Sequence, residues 1–350
     1  MKRSLAAPTP IMVAAVTVLV AALTGCSTGS TSGTETDAAA EPTSTTSVDP
    51  DAFPVTIEHA LGETTIESEP TRVATLGWTD HDHALALGVV PVGATKITWG
   101  GNDGGSTDWF DAAVEEAGAE APVRYDDADG APIDEVAELA PDLILATNSG
   151  ITEAEYAKLS KIAPVVAYPE TPWTTPWQTS LEMVGEALGR TALAEDVAAD
   201  TQATVDEAAE ANPELQGAEL IYGYLAATDL STVGMYAPED PRVSILRDFG
   251  MVDAPAVADA IKPGEFYGTV SAEQAADLDS DVFLTWVDSP DNVETIENDK
   301  LLGQIPAIAG GHWYAETDKQ NAMASTNPTP LSIPVIVSDF LPHVVEAIEG

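Results

Sequence analysis

The segment 132–146, PIDEVAELAPDLILA, joins a helical pattern over 132–139 to the apolar run Leu143-Ile144-Leu145-Ala146. A short apolar run of this kind, bounded by polar residues and proline, is typical of a strand that is buried on both faces. A helix and a buried strand in direct succession predict a parallel sheet that is covered by helices.

The same succession repeats along most of the chain. In the first half the other apolar runs are 73–76, 90–93 and 165–167, and the other helical segments are 80–87, 108–117 and 152–160. In the second half the runs are 220–225, 282–284 and 311–314, and the helical segments are 242–249, 271–277, 292–301 and 334–348. Upstream of them all, the triplets 55–57 and 64–66, rich in β-branched residues, flank a glycine-containing turn and predict a small β-hairpin.

The segment between the two halves, 176–212, predicts a long helix. Its only interruption is Gly189-Arg190, after which Thr191 is placed to cap an Ala- and acid-rich helix that ends at Asn212-Pro213. About 20 helical residues span about 30 Å, roughly the width of a small domain. We therefore expect an α/β protein of two lobes, 53–175 and 213–350, joined by one rigid helix.

Residues 1–25 have the features of a signal peptide. Lys2 and Arg3 precede the apolar run Ile11 to Leu23, which is too short to span a bilayer, since a spanning helix needs about 20 residues. The sequence Leu23-Thr24-Gly25-Cys26 resembles the lipobox of bacterial lipoproteins, in which the cysteine thiol is diacylated, the preceding peptide is removed, and the new amino terminus is often acylated too. The polar segment 26–52 is predicted to be a disordered tether. We expect a lipid-anchored protein on the extracytoplasmic face of a bacterial cell membrane.

The formal net charge of -45 excludes two classes of function. Nucleic-acid binding needs a basic footprint, and adhesion to anionic lipid needs a polybasic patch. Contact with the membrane is therefore expected only through the lipid anchor. Because Cys26 is the only cysteine, no intramolecular disulfide can form, and the fold must depend on packing.

Motifs spread over residues 53–350 resemble one known family. They are Glu69-Pro70-Thr71-Arg72-Val73, Leu87-Gly88-Val89-Val90-Pro91-Val92-Gly93, the stretch 133–145, Leu246-Arg247-Asp248-Phe249-Gly250, and the segment from Val270-Ser271 to Asp281-Val282-Phe283. Their order and spacing resemble the periplasmic-binding family of ABC importers for ferric siderophores, haem and cobalamin. The resemblance implies two α/β lobes joined by one long helix, a ligand cleft between the lobes, and an iron(III)–siderophore complex as the ligand.

The loops that follow the strands are the candidate binding site, because ligands of open α/β sheets bind at the carboxyl ends of the strands. These loops are rich in aromatic residues, whose rigid faces suit planar or apolar ligand groups. Arg124 and Arg242 join them because a guanidinium group binds carboxylate, catecholate or hydroxamate oxygens at two points. Arg242 also stands at a helix start, where a cation calls for a compensating acid from the protein or the ligand. The candidate ligand-binding residues are Trp78, Trp99, Arg124, Trp173, Trp177, Tyr236, Arg242, Tyr267, Trp286 and Tyr314.

Two acids fall at positions to which the resemblance assigns a partner. In the family, one glutamate at the tip of each lobe pairs with arginines of the permease subunits. Glu273 matches one position, and Asp134 falls at the other but is an aspartate with Glu135 beside it. The helix dipole alone would also favour an acid at a helix start. We expect a monomer whose partners are the iron chelate and an ABC permease.

Two further interpretations stay open from the sequence. Within the family the ligand could be haem or cobalamin, and His81, Tyr236 or Tyr314 could serve as an axial haem ligand. From a different class, a secreted α/β hydrolase would share the scaffold, but no Gly-x-Ser-x-Gly or His-Glu-x-x-His motif is present. His81 and His83 are two positions apart on a helix and do not share a face, which argues against a metal site. We expect a non-enzymatic receptor with no catalytic residues, no metal and no cofactor.

Replacing Cys26 with serine should release the protein from the membrane into the soluble fraction. The acyl chains on this residue are the expected anchor, and stable anchoring needs more than one chain. Fractionation of cells followed by immunoblotting measures the effect. A Cys26→Ser protein that stays in the membrane fraction after signal cleavage would contradict the lipobox assignment.

Overall fold

The computed structural model describes residues 48–262 and 264–350. They belong to one compact unit, Glu41–Gly350. The proposed signal peptide, the lipidation site Cys26 and most of the proposed tether lie outside the described residues. In the described part of the chain, no helix is long and apolar enough to cross a bilayer.

The first lobe is built on a five-stranded sheet in which every strand pair is parallel. Its strands are β3 (Val73–Thr75), β4 (Gly93–Thr95), β5 (Val123–Tyr125), β6 (Leu143–Ala146) and β7 (Val165–Ala167), in the order β5-β4-β3-β6-β7. An antiparallel hairpin of β1 (Val55–His59) and β2 (Gly62–Ile66) precedes it. The helices of this lobe are α1 (Asp80–Ala86), α2 (Asp108–Glu116), α3 (Ile133–Glu138) and α4 (Glu153–Leu159).

The strand predicted at 90–93 is displaced toward its carboxyl end. Pro91 has no backbone N–H and cannot donate to a ladder, so pairing begins only at Gly93, which lies opposite Ala74. Before that point, the N–H of Val92 donates to the carbonyl of Val73 at 2.8 Å. The prediction of a parallel sheet at this position is otherwise confirmed.

Two helices join the halves, α5 (Trp177–Ala187) and α6 (Thr191–Ala211). Gly189 makes the turn between them with a φ of 66°, a value that favours glycine. The helix start lies one residue earlier than predicted, because Arg190 and not Thr191 occupies the N-cap position. Arg190 is buried, and its Nη1 donates to the carbonyl of Leu87 at 2.6 Å, which ties the turn to the first lobe.

The second lobe has a mixed sheet. Its strands are β8 (Glu219–Tyr224), β9 (Thr232–Tyr236), β10 (Val252–Asp253), β11 (Tyr267–Ser271), β12 (Val282–Trp286) and β13 (Trp313–Glu316), in the order β11-β9-β8-β12-β13 with β10 beside β8. Strands β12 and β13 continue the parallel pattern, whereas β9 and β11 are antiparallel to their neighbours. The sequence predicts neither of these two strands, because TVGMY and YGTVS contain no continuous apolar run.

Short helices cover this sheet. They are α7 (Pro241–Asp248), α8 (Pro255–Ala260), α9 (Pro290–Glu297), α10 (Pro306–Gly310), α11 (Lys319–Thr326), α12 (Ile333–Val335) and α13 (Leu341–Glu349). A π-helical segment, Ile336–Phe340, connects α12 to α13, and the helix predicted at 271–277 is a 3₁₀ helix, Ala272–Asp277.

One apolar core runs through both lobes. It includes Leu145 of β6, Leu181 of α5, Val205 of α6, Tyr222 of β8 and Phe340 of the π-helical segment, all of them fully or almost fully buried. Separate smaller cores lie on the outer faces of the two sheets. Because the linking helices belong to the shared core, a large change in the angle between the lobes would expose apolar surface.

The close crossing of α5 and α6 can be tested at Gly185. A Cβ atom added to Gly185 would lie 2.5 Å from the Cβ of Ala194 on α6. We expect Gly185→Ala to lower the free energy of unfolding by about 1–3 kcal/mol through overpacking, although alanine is the better helix former by about 1 kcal/mol.

The matched control is the double variant Gly185→Ala/Ala194→Gly, which removes the methyl group that the new side chain would meet. Urea denaturation should show recovery of most of the lost stability in the double variant. Additive effects of the two substitutions would show that the helices do not approach each other at this point.

Candidate binding cleft

A cleft of about 460 Å³ opens between the two lobes. The first lobe contributes Trp78, Trp99, Asp127, Asn148 and Trp173; the second contributes Asp240, Pro241, Arg242, Phe266, Trp286, Thr326 and Asn327. Most first-lobe members follow the carboxyl end of a strand, as Trp78 follows β3 and Asn148 follows β6. Ligands of open α/β sheets bind at this position.

Five of the twelve lining residues of the cleft are aromatic. Trp99 of the first lobe and Trp286 of the second meet with their ring centroids 4.6 Å apart. Tyr224 extends this cluster, with its ring 5.4 Å from that of Trp286. Aromatic faces from both lobes can therefore enclose a ligand that has apolar or planar groups.

Trp173 presents its side chain to the cleft from a backbone that is unusual for a large residue. Its φ is 65°, in the left-handed region, and its side chain is 43% exposed. The indole lies against Gly150, where an added Cβ would overlap it. A bulky, exposed side chain held in a sparsely populated conformation is a feature of functional sites.

Arg242 is the only cation among the described residues that line this cleft. Its Nε donates to the Asp240 carboxylate at 2.6 Å, and its guanidinium lies 3.7 Å from the centroid of the Tyr236 ring. Burial lowers the pKa of Arg242, but the neighbouring Asp240 raises it, and the net change is upward. Arg242 is thus charged, and two neighbours fix its orientation.

The terminal amino groups of Arg242 are available to a ligand. In the described ranges, neither Nη1 nor Nη2 donates a hydrogen bond to another residue. The backbone N–H and the Nε of Arg242 both donate to Asp240. Asp240 also caps α7, since its side chain accepts the Arg242 backbone N–H. The helix cap, the ion pair with Asp240 and the contact with the Tyr236 ring together hold the guanidinium of Arg242 at the cleft, with two amino groups that can donate hydrogen bonds.

A second hollow of about 630 Å³ adjoins the cleft through Phe266, which lines both. We call it the side groove. Residues of 169–179 from the first lobe and of α7 and its preceding loop from the second lobe form its walls. Its charged residues are Glu170, Glu239, Arg247 and Glu265, and Arg247 is paired with Asp253 at 3.4 Å.

The structure places some sequence-predicted residues elsewhere. Trp177, at the start of α5, is 3% exposed and belongs to the shared core, so it does not line the cleft. Arg124 is turned inward, and its Nη1 and Nη2 donate to the Thr95 carbonyl and to Ser106 Oγ. Tyr314 of β13 donates to Glu316 at 2.8 Å and stacks on His343 of α13. None of these three side chains is therefore among the lining residues of the cleft.

Tyr236 and Tyr267 hold an intermediate position. They lie opposite each other on the antiparallel pair β9 and β11, with ring centroids 5.3 Å apart. The Tyr236 ring is under the Arg242 guanidinium. These tyrosines support the base of the cleft instead of forming its lining. Of the ten predicted residues, the structure brings Trp78, Trp99, Trp173, Arg242 and Trp286 together in the lining itself.

Sequence reasoning missed the polar lining residues Asp127, Asn148, Asp240, Thr326 and Asn327, and the apolar Pro241 and Phe266. Asn148 follows a predicted strand directly, so the rule that ligands bind at strand ends could have included it. Asp127 has no such signal of its own in the sequence. The structure shows that the predicted residue Trp78 donates a hydrogen bond to its side chain. Phe266, 47% exposed, precedes a strand that was not predicted.

The polar residues of α1 are interior. Asp80, His81, Asp82 and His83 are all buried. Asp82 accepts hydrogen bonds from Trp109 of α2 at 2.8 Å and from Thr329 of the second lobe at 2.7 Å. Burial raises the pKa of Asp82 to about 6, although these bonds act to lower it. Asp82 therefore helps to join the two lobes behind the cleft.

The two histidines of α1 are buried and lie outside the lining of the cleft. Burial lowers the pKa of His83 to about 3 and the pKa of His81 well below its ordinary value. Within the described residues no group of His, Cys, Asp and Glu could hold a metal ion. His81 packs edge-on against Phe110 in the interior and is not a lining residue of the cleft.

The two predicted docking acids are exposed. Asp134 and its neighbour Glu135 lie in the first turn of α3, and Glu273 lies in the first turn of the 3₁₀ helix that follows β11. Among the described residues, no cation forms an ion pair with any of these three carboxylates. They are therefore accessible to a partner.

The fold and cleft define a class of protein: two α/β lobes, joined by a helical linker, with a ligand site between them. Residues 73–319 match the family described as periplasmic binding protein, and the chain belongs to this family. The predicted family and fold class are confirmed.

Individual relatives agree with this assignment. The chain is 25% identical over 254 residues to the "Probable siderophore-binding lipoprotein YfiY" of Bacillus subtilis (strain 168), covering 71% of this chain and 73% of that protein. It is similar to the crystal structure of PiaA from Streptococcus pneumoniae TIGR4 in complex with ferrichrome, with a TM-score of 0.79, 35% identity, and coverage of 84% and 98% of the two chains. A periplasmic solute-binding protein from Mycobacterium smegmatis is 27% identical, with a TM-score of 0.70 and coverage of 84% and 98%.

Proposed function

We propose that this protein captures an iron(III)–siderophore complex in the cleft and delivers it to an ABC importer. The observation that carries the proposal is the set of aromatic residues from both lobes around the free amino groups of Arg242. A ferric siderophore presents iron-binding oxygens within a largely apolar carbon framework. Tryptophan faces can pack on the framework, and the guanidinium can donate two hydrogen bonds to the oxygens.

The relatives support this ligand class. One is described as a siderophore-binding lipoprotein and another was solved with ferrichrome. The lipobox around Cys26 adds the proposed location, the extracytoplasmic face of the membrane. In this role the iron complex is cargo, and the protein is a monomeric receptor without catalytic residues or a cofactor.

Ligand binding should quench the intrinsic fluorescence strongly, because four tryptophans line the cleft and ferric complexes absorb light. Titration with a panel of ferric siderophores, with haem and cobalamin included, measures the affinities. Binding of haem alone, with a Soret band, would contradict the proposal.

The role of Arg242 in ligand binding can be separated from its role in stability. Arg242→Ala should weaken binding of the ferric complex by about 1.5–3 kcal/mol, the range for a hydrogen bond to a charged group, which is roughly a tenfold to hundredfold loss of affinity. Arg242→Lys should recover only part of it, since an ammonium group cannot donate in the same fork. The alanine variant should also lose stability, because Asp240 is left buried without its partner.

The control is the double variant Asp240→Asn/Arg242→Met, which removes both charges and keeps a capping side chain at the start of α7. Its melting temperature should recover, whereas ligand affinity should stay low. If affinity recovers together with the melting temperature, Arg242 has only a structural role.

Delivery to the importer can be tested at the two tips. Glu273→Ala and Asp134→Ala should leave ligand affinity nearly unchanged and reduce uptake of labelled iron by cells, because the exposed carboxylates are proposed to pair with permease arginines. Glu135→Ala tests the neighbouring acid, and Glu58→Ala, on the exposed face of β1, is the control. A large loss of ligand affinity in the Glu273 or Asp134 variant would show that these acids act in ligand binding and not in docking to the permease.

A further inference from the structure

The charges around the cleft point to one class of iron complex. The residues that line the cleft and the side groove include five carboxylates and two guanidinium groups, an excess of three negative charges in the described part of the chain. The carboxylates are those of Asp127, Glu170, Glu239, Asp240 and Glu265, and the guanidinium groups are those of Arg242 and Arg247. A ligand therefore enters a site that is acidic on balance.

The two guanidinium groups do not offset an anionic ligand. Asp240 is 3% exposed and bonded to Arg242 at 2.6 Å, so this pair is close to neutral as seen from the cleft. Arg247 lies at 3.4 Å from Asp253. What Arg242 offers to a ligand is hydrogen-bond donors, because its charge is already balanced within the protein.

The net charge of the whole molecule also disfavours anionic ligands. The formal net charge of -45 gives the whole surface a negative potential, which slows the approach of anions at low ionic strength. Like charges that are brought together in a partly buried site weaken binding by more than they do in water.

We propose, on the basis of the proposed function, that the cleft selects ferric complexes without net negative charge, namely trihydroxamates, neutral or bearing a protonated amine. Three hydroxamates balance the charge of iron(III), whereas three catecholates leave three negative charges in excess. The iron-binding oxygens of a neutral trihydroxamate complex still accept hydrogen bonds from Arg242, and the aromatic walls pack on the uncharged framework.

The experiment compares three iron(III) complexes with the intact protein: a neutral trihydroxamate, a trihydroxamate with a pendant ammonium group, and a tris-catecholate. Fluorescence titration at low and high ionic strength gives the affinities. We expect the tris-catecholate to bind at least roughly 100-fold more weakly than either trihydroxamate. Its affinity should improve with salt, which screens the repulsion.

Variants of the cleft carboxylates test the cause. Asp127→Asn and Asp240→Asn each remove one negative charge and keep an oxygen that accepts the hydrogen bond from Trp78 or the α7 backbone. Each should reduce the preference for the trihydroxamates over the tris-catecholate by about three- to tenfold. Glu58→Gln makes the same change in net charge on the hairpin, away from the cleft, and should leave the preference unchanged.

The outcomes separate the two proposals. Tight binding of the tris-catecholate overturns the charge selection and leaves siderophore capture intact. An equal change of preference in Asp127→Asn and Glu58→Gln also overturns it, because the effect would then come from overall charge. If no ferric complex binds, both proposals fail.

Discussion

The shared apolar core is the constraint on which the rest of the structure depends. Side chains of the linking helices α5 and α6 pack into it together with β6 of the first lobe and β8 of the second. Moving one lobe against the other would take part of this core into water, at about 25 cal/mol for each Å² of apolar surface exposed. The buried bond from Thr329 to Asp82 adds a polar contact between the lobes. Together they favour a cleft that is largely formed before the ligand arrives.

A largely formed cleft suits the way its residues are held. Asp240 and Tyr236 fix the orientation of Arg242. The indole of Trp173 packs against Gly150, which has no side chain in its way. Groups that are oriented in advance lose little conformational entropy when they bind. Binding strength can then come from a few contacts.

The acidic composition has a different meaning at the surface and in the cleft. On the surface it gives solubility and repulsion between copies. At the cleft, Asp240 is paired with the one cation among the described lining residues, so the acidic composition also sets the charge that a ligand meets there. The unpaired acids at Asp134 and Glu273 lie at helix starts on the outside, where a basic partner can reach them.

The sequence by itself determined the family and most of the parallel strands and long helices. The parallel strands β3, β6 and β7 follow from apolar runs, and α6 follows from Gly189 before it and Asn212-Pro213 after it, because these signals act within a few residues. Five of the ten predicted binding residues lie in the cleft lining, because the rule that places ligands at strand ends depends on topology alone.

Tertiary structure decided which side chain faces which way. Trp173 and Trp177 are four residues apart, yet one is 43% exposed at the cleft and the other is 3% exposed in the core. Arg124 looked free in the sequence but is satisfied by Thr95 and Ser106. The antiparallel strands β9 and β11 were also missed. In each case the deciding contact joins segments far apart in the sequence, and no local pattern of residues records such a contact.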